Sequence, residues 1–185
     1  MKLLLHICCA PCSIMCIETL RGEGIEPVGF WDNPNIHPFT EFRMRRNTLV
    51  DYAKEIGLSL VVEGGYGLRP FLEAVGGDFD GHCPVCYRLR MRSAARYAAE
   101  NGFTHFTTTL LISPYQNHEL LAQTAREAAQ EFGVSFLYRD FRPSFREGQD
   151  RARAMGLYMQ KYCGCIFSEE DRYRKRKKPP KKEEA

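Results

Sequence analysis

The chain has 185 residues, of which 44% are hydrophobic and 26% charged, with a formal net charge of +3. This is the composition of an ordinary globular domain, and no stretch approaches the roughly 20 apolar residues of a membrane span. The apolar run after Met1 is too short for a signal peptide. We therefore expect a cytoplasmic protein, in which eight cysteines indicate metal or redox chemistry rather than a disulfide framework.

Short apolar runs alternate with longer amphipathic segments. In chain order the predicted elements are a strand at 2–7, a helix at 11–21, a strand at 26–31, a helix at 39–56, a strand at 58–62, helices at 70–75 and 84–100, a strand at 103–107, a helix at 117–132, a strand at 134–138 and a helix at 146–155. Alternating strands and helices imply βαβ units. The predicted fold class is α/β, doubly wound, with a mostly parallel five-stranded sheet and helices on both faces. We expect one domain over 1–171 and a basic tail over 172–185.

Ligands of such folds bind at the carboxyl ends of the parallel strands, near the switch in strand order. The first predicted strand delivers Cys8 and Cys9 to that edge, and the fourth ends at Thr107-Thr108-Thr109. We therefore expect a metal site at the carboxyl ends of the strands.

The first cysteine group is Cys8-Cys9-x2-Cys12, at a predicted strand-to-helix turn. One free cysteine in a buried strand is easily explained by packing, but three within five residues are not. Cys12 lies near the positive end of the following helix, which favours a thiolate. Cys16, one turn further along an apolar helix, is interpreted as core packing.

The second group, Cys83-x2-Cys86, opens a helix, where two sulfurs can hold one metal ion or form a disulfide. With Cys8 and Cys9 it offers four thiolates for a cuboidal iron–sulfur cluster. Zinc needs the same four ligands, and spacing alone does not separate the two. Iron–sulfur is favoured because further cysteines remain unexplained once zinc is satisfied.

The third group is Cys163-Gly164-Cys165. A disulfide across this spacing closes a strained ring, and strained disulfides are labile and more oxidising. The pair is interpreted as a redox shuttle or as ligands of a second metal.

Polar residues in two loops are candidate substrate contacts: Asn33, Asn35, His37, Thr108, Ser113 and Tyr115. Hydroxyls and backbone N–H groups at a helix start hold an anion, although ordinary N-capping by Ser113 or Asn117 is the alternative. Neither a P-loop nor a G-x-G-x-x-G sequence is present, which disfavours nucleotide hydrolysis and dinucleotide binding. The basic run from Arg172 is interpreted either as a solvated tail or as an electrostatic arm for RNA.

Six motifs, in order, resemble those of the QueH family of epoxyqueuosine reductases. They are LHICCAPCS from Leu5, NPNIHP from Asn33, CPVC from Cys83 with Arg90 beyond it, TTLLISP from Thr107, DFR from Asp140 and YCGC from Tyr162. The resemblance spans about 2–168 and leaves out the basic tail. It implies a HUP-like fold and the last step of queuosine formation in tRNA, the reductive deoxygenation of an epoxide to a cyclopentene.

The resemblance also implies a 4Fe-4S cluster and an additional mononuclear iron. The implied cluster ligands are Cys8, Cys9, Cys83 and Cys86. Cys12 belongs to the same motif, so one of the first three thiolates serves the second iron if the cluster takes only three. That iron would add a carboxylate, with Asp140 the first choice and Asp32 the second. Cys163 and Cys165 would be the redox-active pair, able to form a disulfide bond.

The implied partners are tRNA bearing epoxyqueuosine and an electron donor that the sequence does not identify; no membrane partner is expected. Unstacked bases of an RNA loop stack on aromatic side chains, for which Trp31, Tyr115 and Tyr162 are candidates. The competing hypothesis is a cysteine-rich zinc module that binds RNA without catalysis. A sulfur-transfer enzyme on a related fold is disfavoured, since the usual Ser-Gly-Gly pyrophosphate loop is replaced by the first cysteine group.

Overall fold

A computed structural model describes residues 1–174 of the chain. Its elements are β1 (Leu3–His6), α1 (Ala10–Gly22), β2 (Val28–Trp31), α2 (Phe39–Glu55), β3 (Leu60–Val62), α3 (Leu68–Val75), α4 (His82–Glu100), β4 (His105–Thr108), α5 (His118–Phe132), β5 (Ser135–Phe136), α6 (Phe145–Ala154) and α7 (Ile166–Tyr173). Two 3-10 turns, Thr109–Ile112 and Arg142–Ser144, follow β4 and precede α6.

The five strands form one sheet in the order β3-β2-β1-β4-β5, and every neighbouring pair is parallel. The chain moves outward from β1 to β3 and then returns to the other side of β1 with β4. The strand order therefore switches between β1 and β4, where doubly wound folds form a crevice at the carboxyl ends. α4 packs on α5, and α1 packs on α6 and α2, which gives two helical layers over the sheet. The predicted α/β fold is confirmed.

The core explains why β1 and α1 are apolar throughout. Leu3, Leu4 and Leu5 are fully buried because β1 is the central strand and is covered on both faces. α1 buries nearly every side chain of its first two turns between the sheet and α6. Within it, the Cys16 thiol is fully buried and donates to the Cys12 carbonyl at 3.4 Å. The interpretation of Cys16 as core packing is confirmed.

The carboxyl-terminal part differs most from the prediction. β5 has only two residues, since it is the edge strand and pairs on one side alone. α7 was not predicted, because it carries no buried residue and so lacks an apolar periodicity. It includes Arg172 and Tyr173, where the basic tail was expected to begin, and residues 175–185 of that tail lie outside the described part of the chain. Among residues 1–174, no helix is long and apolar enough to cross a membrane.

Candidate metal centre and adjoining cavity

The turn from β1 into α1 brings three sulfurs together. Pro11 fits the first turn of α1, where a backbone N–H has no intrahelical partner, and Cys9 caps the helix in an extended conformation. The Sγ atoms of Cys8, Cys9 and Cys12 all lie within 4.8 Å of one another, and all three residues are buried. No other group of three or more candidate ligands with this spacing occurs within residues 1–174.

The spacing of these sulfurs fits a thiolate-bound metal. Cys8 Sγ and Cys9 Sγ are 3.7 Å apart. Two thiolates on one tetrahedral ion, each about 2.3 Å from the metal, lie about 3.8 Å apart. The donor set is therefore chemically suited to a thiophilic metal such as iron or zinc.

Polar side chains from distant segments bond to the same sulfurs. Thr109 Oγ1 donates to Cys8 Sγ at 3.4 Å and accepts from the Cys8 backbone N–H at 3.2 Å. Gln160 Nε2 donates to Cys9 Sγ at 2.9 Å and to Cys12 Sγ at 3.4 Å. Each sulfur of the trio therefore has a hydrogen-bond donor outside the trio, as metal-bound thiolates commonly do.

The three thiols do not ionise equally. Hydrogen bonds from Cys12 and Cys9 hold the pKa of Cys8 well below its usual value, and the Arg90 charge and Thr109 act in the same direction. Burial raises the pKa of Cys9. The hydrogen bond to Cys8 raises the pKa of Cys12. Without a metal, Cys8 is therefore the member of the trio that loses its proton most readily.

A buried arginine links the first and second cysteine groups. Arg90, on α4, is only 2% exposed and donates to Asn33 Oδ1 at 2.7 Å and to Cys86 Sγ at 3.8 Å. Within the described chain it has no salt bridge to a carboxylate. A buried guanidinium needs compensating negative charge. The sulfurs of Cys86, Cys8 and Cys163 are groups around it that supply negative charge when they are deprotonated.

Cys83 and Cys86 lie outside the trio. Cys83 is exposed and Cys86 is buried at the start of α4. Burial raises the pKa of Cys83 to about 11, and the negative charges of Cys163 and Cys165 add to that rise. Cys86 and Cys165 also share a small buried cluster with Phe71. The four sulfurs predicted for the cluster thus do not form one compact set, and their joint ligation stays a prediction.

The third cysteine group is held by α2. Arg45, 2% exposed, donates to the Cys163 carbonyl at 2.8 Å and to the Tyr162 carbonyl at 2.9 Å, and its Nε pairs with Glu41 at 2.7 Å. All eight cysteines are free thiols in this structure, so the predicted Cys163–Cys165 disulfide is not formed. Cys163 is exposed and accepts from Gln116 Nε2 at 3.4 Å.

A cavity of about 680 Å³ connects the first and third cysteine groups. Its wall includes three sulfur-bearing residues, Cys8, Cys12 and Cys163. The same wall carries cationic, amide and aromatic side chains, namely Arg153, Lys161, Arg172, Gln116, Gln149, Gln160, Tyr115, Phe145 and Tyr162. The volume lies in the range of pockets that hold one small ligand.

The predicted substrate contacts divide into two sets. Ser113 and Tyr115 line the cavity, and the Tyr115 ring is 84% exposed. The other four, Asn33, Asn35, His37 and Thr108, are buried and are not part of the cavity wall. The side chains of Asn33, His37 and Thr108 are bonded to protein groups. His37, for example, donates from Nε2 to the Pro34 carbonyl at 3.0 Å and accepts at Nδ1 from the Ile166 N–H at 3.3 Å.

The candidate carboxylates and one candidate stacking residue lie elsewhere. Asp140 is paired with Arg142 at 2.7 Å, and hydrogen bonds from Arg142 lower the pKa of Asp140 to about 2. Asp32 accepts from Ser93 Oγ and lines a different cavity. Neither joins the sulfur trio, so their role as iron ligands stays a prediction. Trp31 is fully buried against Phe42, so it has no free face for a base and that part of the stacking prediction is wrong.

Three contributors were not singled out from the sequence. Thr109 bonds to Cys8, whereas the neighbouring Thr108 was the residue predicted as a substrate contact. Gln160 reaches the trio from a segment without regular structure, and Arg45 is a charged side chain on the buried face of α2. Only the threonine run carried a local signal, because the other two contacts depend on tertiary proximity.

The fold and the site define a doubly wound α/β protein with a buried thiol centre at the switch point of its parallel sheet. The chain belongs to the QueH family: the family model described as "Epoxyqueuosine reductase QueH" matches residues 3–171. The match covers every cysteine and the cavity residues named above except Arg172, which lies one position beyond it.

Relatives of similar length carry the same description. A protein of Dehalococcoides mccartyi named epoxyqueuosine reductase QueH is 36% identical, over 96% of this chain and 98% of its own length. One of Thermotoga maritima with that name is 31% identical, over 89% of this chain and 88% of its own. A solved structure described as a predicted subunit of tRNA methyltransferase from Methanocaldococcus jannaschii is 10% identical with a TM-score of 0.50, covering 83% of this chain and 88% of that chain. That likeness concerns the fold alone.

Proposed function

We propose that this protein reduces the epoxide of epoxyqueuosine in tRNA to the corresponding cyclopentene, and that its cysteines hold a 4Fe-4S cluster and a further iron. The observation that carries the proposal is the buried sulfur trio, two of whose members, Cys8 and Cys12, line one cavity of about 680 Å³ together with Cys163. Family membership and the names of the relatives support the reaction. We propose that it acts in the cytoplasm, where its tRNA substrate is found.

The reaction requires two electrons and two protons, since an epoxide becomes an alkene and water. The Cys163 and Cys165 thiols can supply both when they are oxidised to a disulfide. Cys163 lines the cavity, so a substrate bound there can reach its sulfur. Cys163 is also exposed, so an external reductant can reach it from the solvent. That reductant, a dithiol or a one-electron carrier, then restores the pair for the next turnover.

The residues fit the implied metal group through their donor chemistry. Cys8, Cys9 and Cys12 would hold iron at the β1–α1 turn, and Cys83 with Cys86 would complete the thiolate set across Arg90. When bound, an iron–sulfur cluster with a neighbouring iron supplies single electrons and a Lewis acid for the epoxide oxygen. The chain itself shields the trio from bulk solvent, because all three sulfur residues are at most 7% exposed.

The cavity rim supports recognition of a nucleoside within RNA. The exposed Tyr115 ring meets Phe145 edge-on with a centroid distance of 5.9 Å, which leaves a face for a base to stack on. Lys161, Arg153 and Arg172 outnumber the acidic Asp171 in the same wall. Cationic side chains beside a stacking surface suit the phosphates that flank an everted base.

The proposal is tested by anaerobic incubation with epoxyqueuosine-containing tRNA and a reductant, followed by nucleoside mass analysis. We expect the modified nucleoside to lose one oxygen atom. Metal analysis of anaerobically purified protein separates this function from a non-catalytic zinc module. Iron with acid-labile sulfide supports the enzyme, whereas colourless protein with stoichiometric zinc contradicts it.

A further inference from the structure

Gln160 makes contacts that the reaction above does not use. Its amide nitrogen donates to two sulfurs of the trio, at 2.9 Å to Cys9 and 3.4 Å to Cys12. Its amide oxygen is buried and has no hydrogen-bond partner within the described part of the chain. Leaving a buried acceptor unpaired is unfavourable, so a compensating interaction must hold the amide in this orientation.

The chemistry of thiolates explains that orientation. A metal-bound thiolate has no proton and can only accept hydrogen bonds, so the NH₂ end of the amide must face the sulfurs. The oxygen end then points away and stays unpaired. Gln160 arrives from the connection between α6 and α7, about 150 residues from the trio in sequence, so its placement depends on the folded loop rather than on local structure.

We infer that Gln160 is a positioning residue that tunes the metal centre by donating N–H hydrogen bonds to the Cys9 and Cys12 sulfurs. The inference rests on the proposed function, in that these sulfurs hold iron. Hydrogen bonds withdraw electron density from a thiolate and stabilise the reduced, more negative state of the metal it binds. Loss of both bonds therefore lowers the reduction potential of the centre and makes the sulfurs better electron donors.

The informative substitution is Gln160→Met, which keeps a similar length and removes both N–H donors. The matched control is Gln149→Met, because Gln149 lines the same cavity but forms no hydrogen bond to a sulfur among residues 1–174. Gln160→Asn keeps the amide but is one methylene too short to reach both sulfurs. Circular dichroism of each variant establishes that it is folded.

Two measurements on the full-length protein test the role. In the iron-loaded protein, we expect Gln160→Met to raise the oxidised-to-reduced ratio of the centre about tenfold at a fixed potential. For one electron, this equals a reduction potential more negative by about 59 mV. In the metal-free protein loaded with Co²⁺, the thiolate-to-cobalt charge-transfer band should move to lower energy in Gln160→Met and Gln160→Asn but not in Gln149→Met.

The cobalt measurement needs neither tRNA nor turnover, so it separates this role from the proposed function. An unshifted band in folded Gln160→Met overturns the inference even if the enzyme deoxygenates tRNA. Equal shifts in Gln160→Met and Gln149→Met also overturn it, because they would reflect a general change in the cavity. A shift in the Gln160 variants alone supports it even in a preparation without reductase activity.

Discussion

The guanidinium of Arg45 donates to the backbone carbonyl of Cys163 at 2.8 Å, across 118 residues of chain. Arg45 is at the same time paired with Glu41, and Glu41 accepts from the Tyr158 hydroxyl. One buried ion pair on α2 thus fixes the loop that carries the third cysteine group. The contacts of Arg45 therefore determine the position of Cys163 in the cavity that it shares with Cys8 and Cys12.

Replacing Arg45 should therefore both destabilise the protein and release this loop. Removing one partner of a buried pair typically costs about 3–5 kcal/mol, because the remaining charge is left uncompensated. We expect Arg45→Met to lower the free energy of unfolding by several kcal/mol in urea titrations and to speed alkylation of Cys163. Arg43→Met, at an exposed position of the same helix, should change neither. Equal effects of the two substitutions would show that Arg45 does not hold this loop in place.

Acid should loosen the same loop through His37. Burial lowers the pKa of His37 from 6.5 to about 4, so the folded protein keeps this ring neutral while the unfolded chain protonates it. The unfolded state therefore binds more protons between these values, and the stability is complete above pH 6.5 and falls as the pH drops towards 4. The physical reason is that a protonated Nδ1 cannot accept from the Ile166 N–H.

The free energy of unfolding, measured by urea titration across pH 4–7.5, checks this dependence. We expect a loss on the order of 2 kcal/mol attributable to His37, and a shallower slope in His37→Gln. Some slope should remain, because burial also lowers the pKa of His6, to about 3. Identical slopes in the wild type and His37→Gln would show that His37 does not contribute.

The β1–α1 turn could be predicted from the sequence because its signal is local. Three cysteines within five residues, after an apolar strand and before Pro11, determine both the turn and the sulfur group. Gln160 could not be found in this way, since a lone glutamine in an irregular segment has no periodicity or motif. The same limit explains the choice of Thr108, because which hydroxyl of a threonine run faces Cys8 depends on the 3-10 turn after β4.

The second cysteine group provides a test of ligation across α4. We expect Cys83→Ala to lose iron, acid-labile sulfide and activity together, because Cys83 is a proposed cluster ligand. An exposed thiol at the start of α4 contributes little to packing, so the substitution should leave the fold intact. Iron and sulfide analysis of the anaerobically purified variant is the measurement. Retained deoxygenation with a full iron complement would show that Cys83 is not a ligand.

Binding of tRNA should depend strongly on salt. Each phosphate neutralised by a cationic side chain contributes to the slope of log K against log salt, so Lys161→Ala should reduce its magnitude by about one. Lys54→Ala is the control, since Lys54 is exposed on α2 and does not line the cavity. A flat salt profile for the wild type, or equal slopes for both variants, would argue against the cationic rim as the tRNA contact.

A matched pair of cysteine variants tests whether the buried sulfur trio is the reactive metal centre. Cys12→Ala removes a sulfur that lines the cavity, whereas Cys16→Ala removes one that is buried a single helical turn away and donates to a carbonyl. The measurement is the amount of deoxygenated nucleoside formed per protein under anaerobic reducing conditions. We predict that Cys16→Ala, if folded, retains turnover and that Cys12→Ala falls at least about a hundredfold, as expected for loss of a metal ligand. Full turnover in folded Cys12→Ala would show that the sulfur trio is not the reactive metal centre.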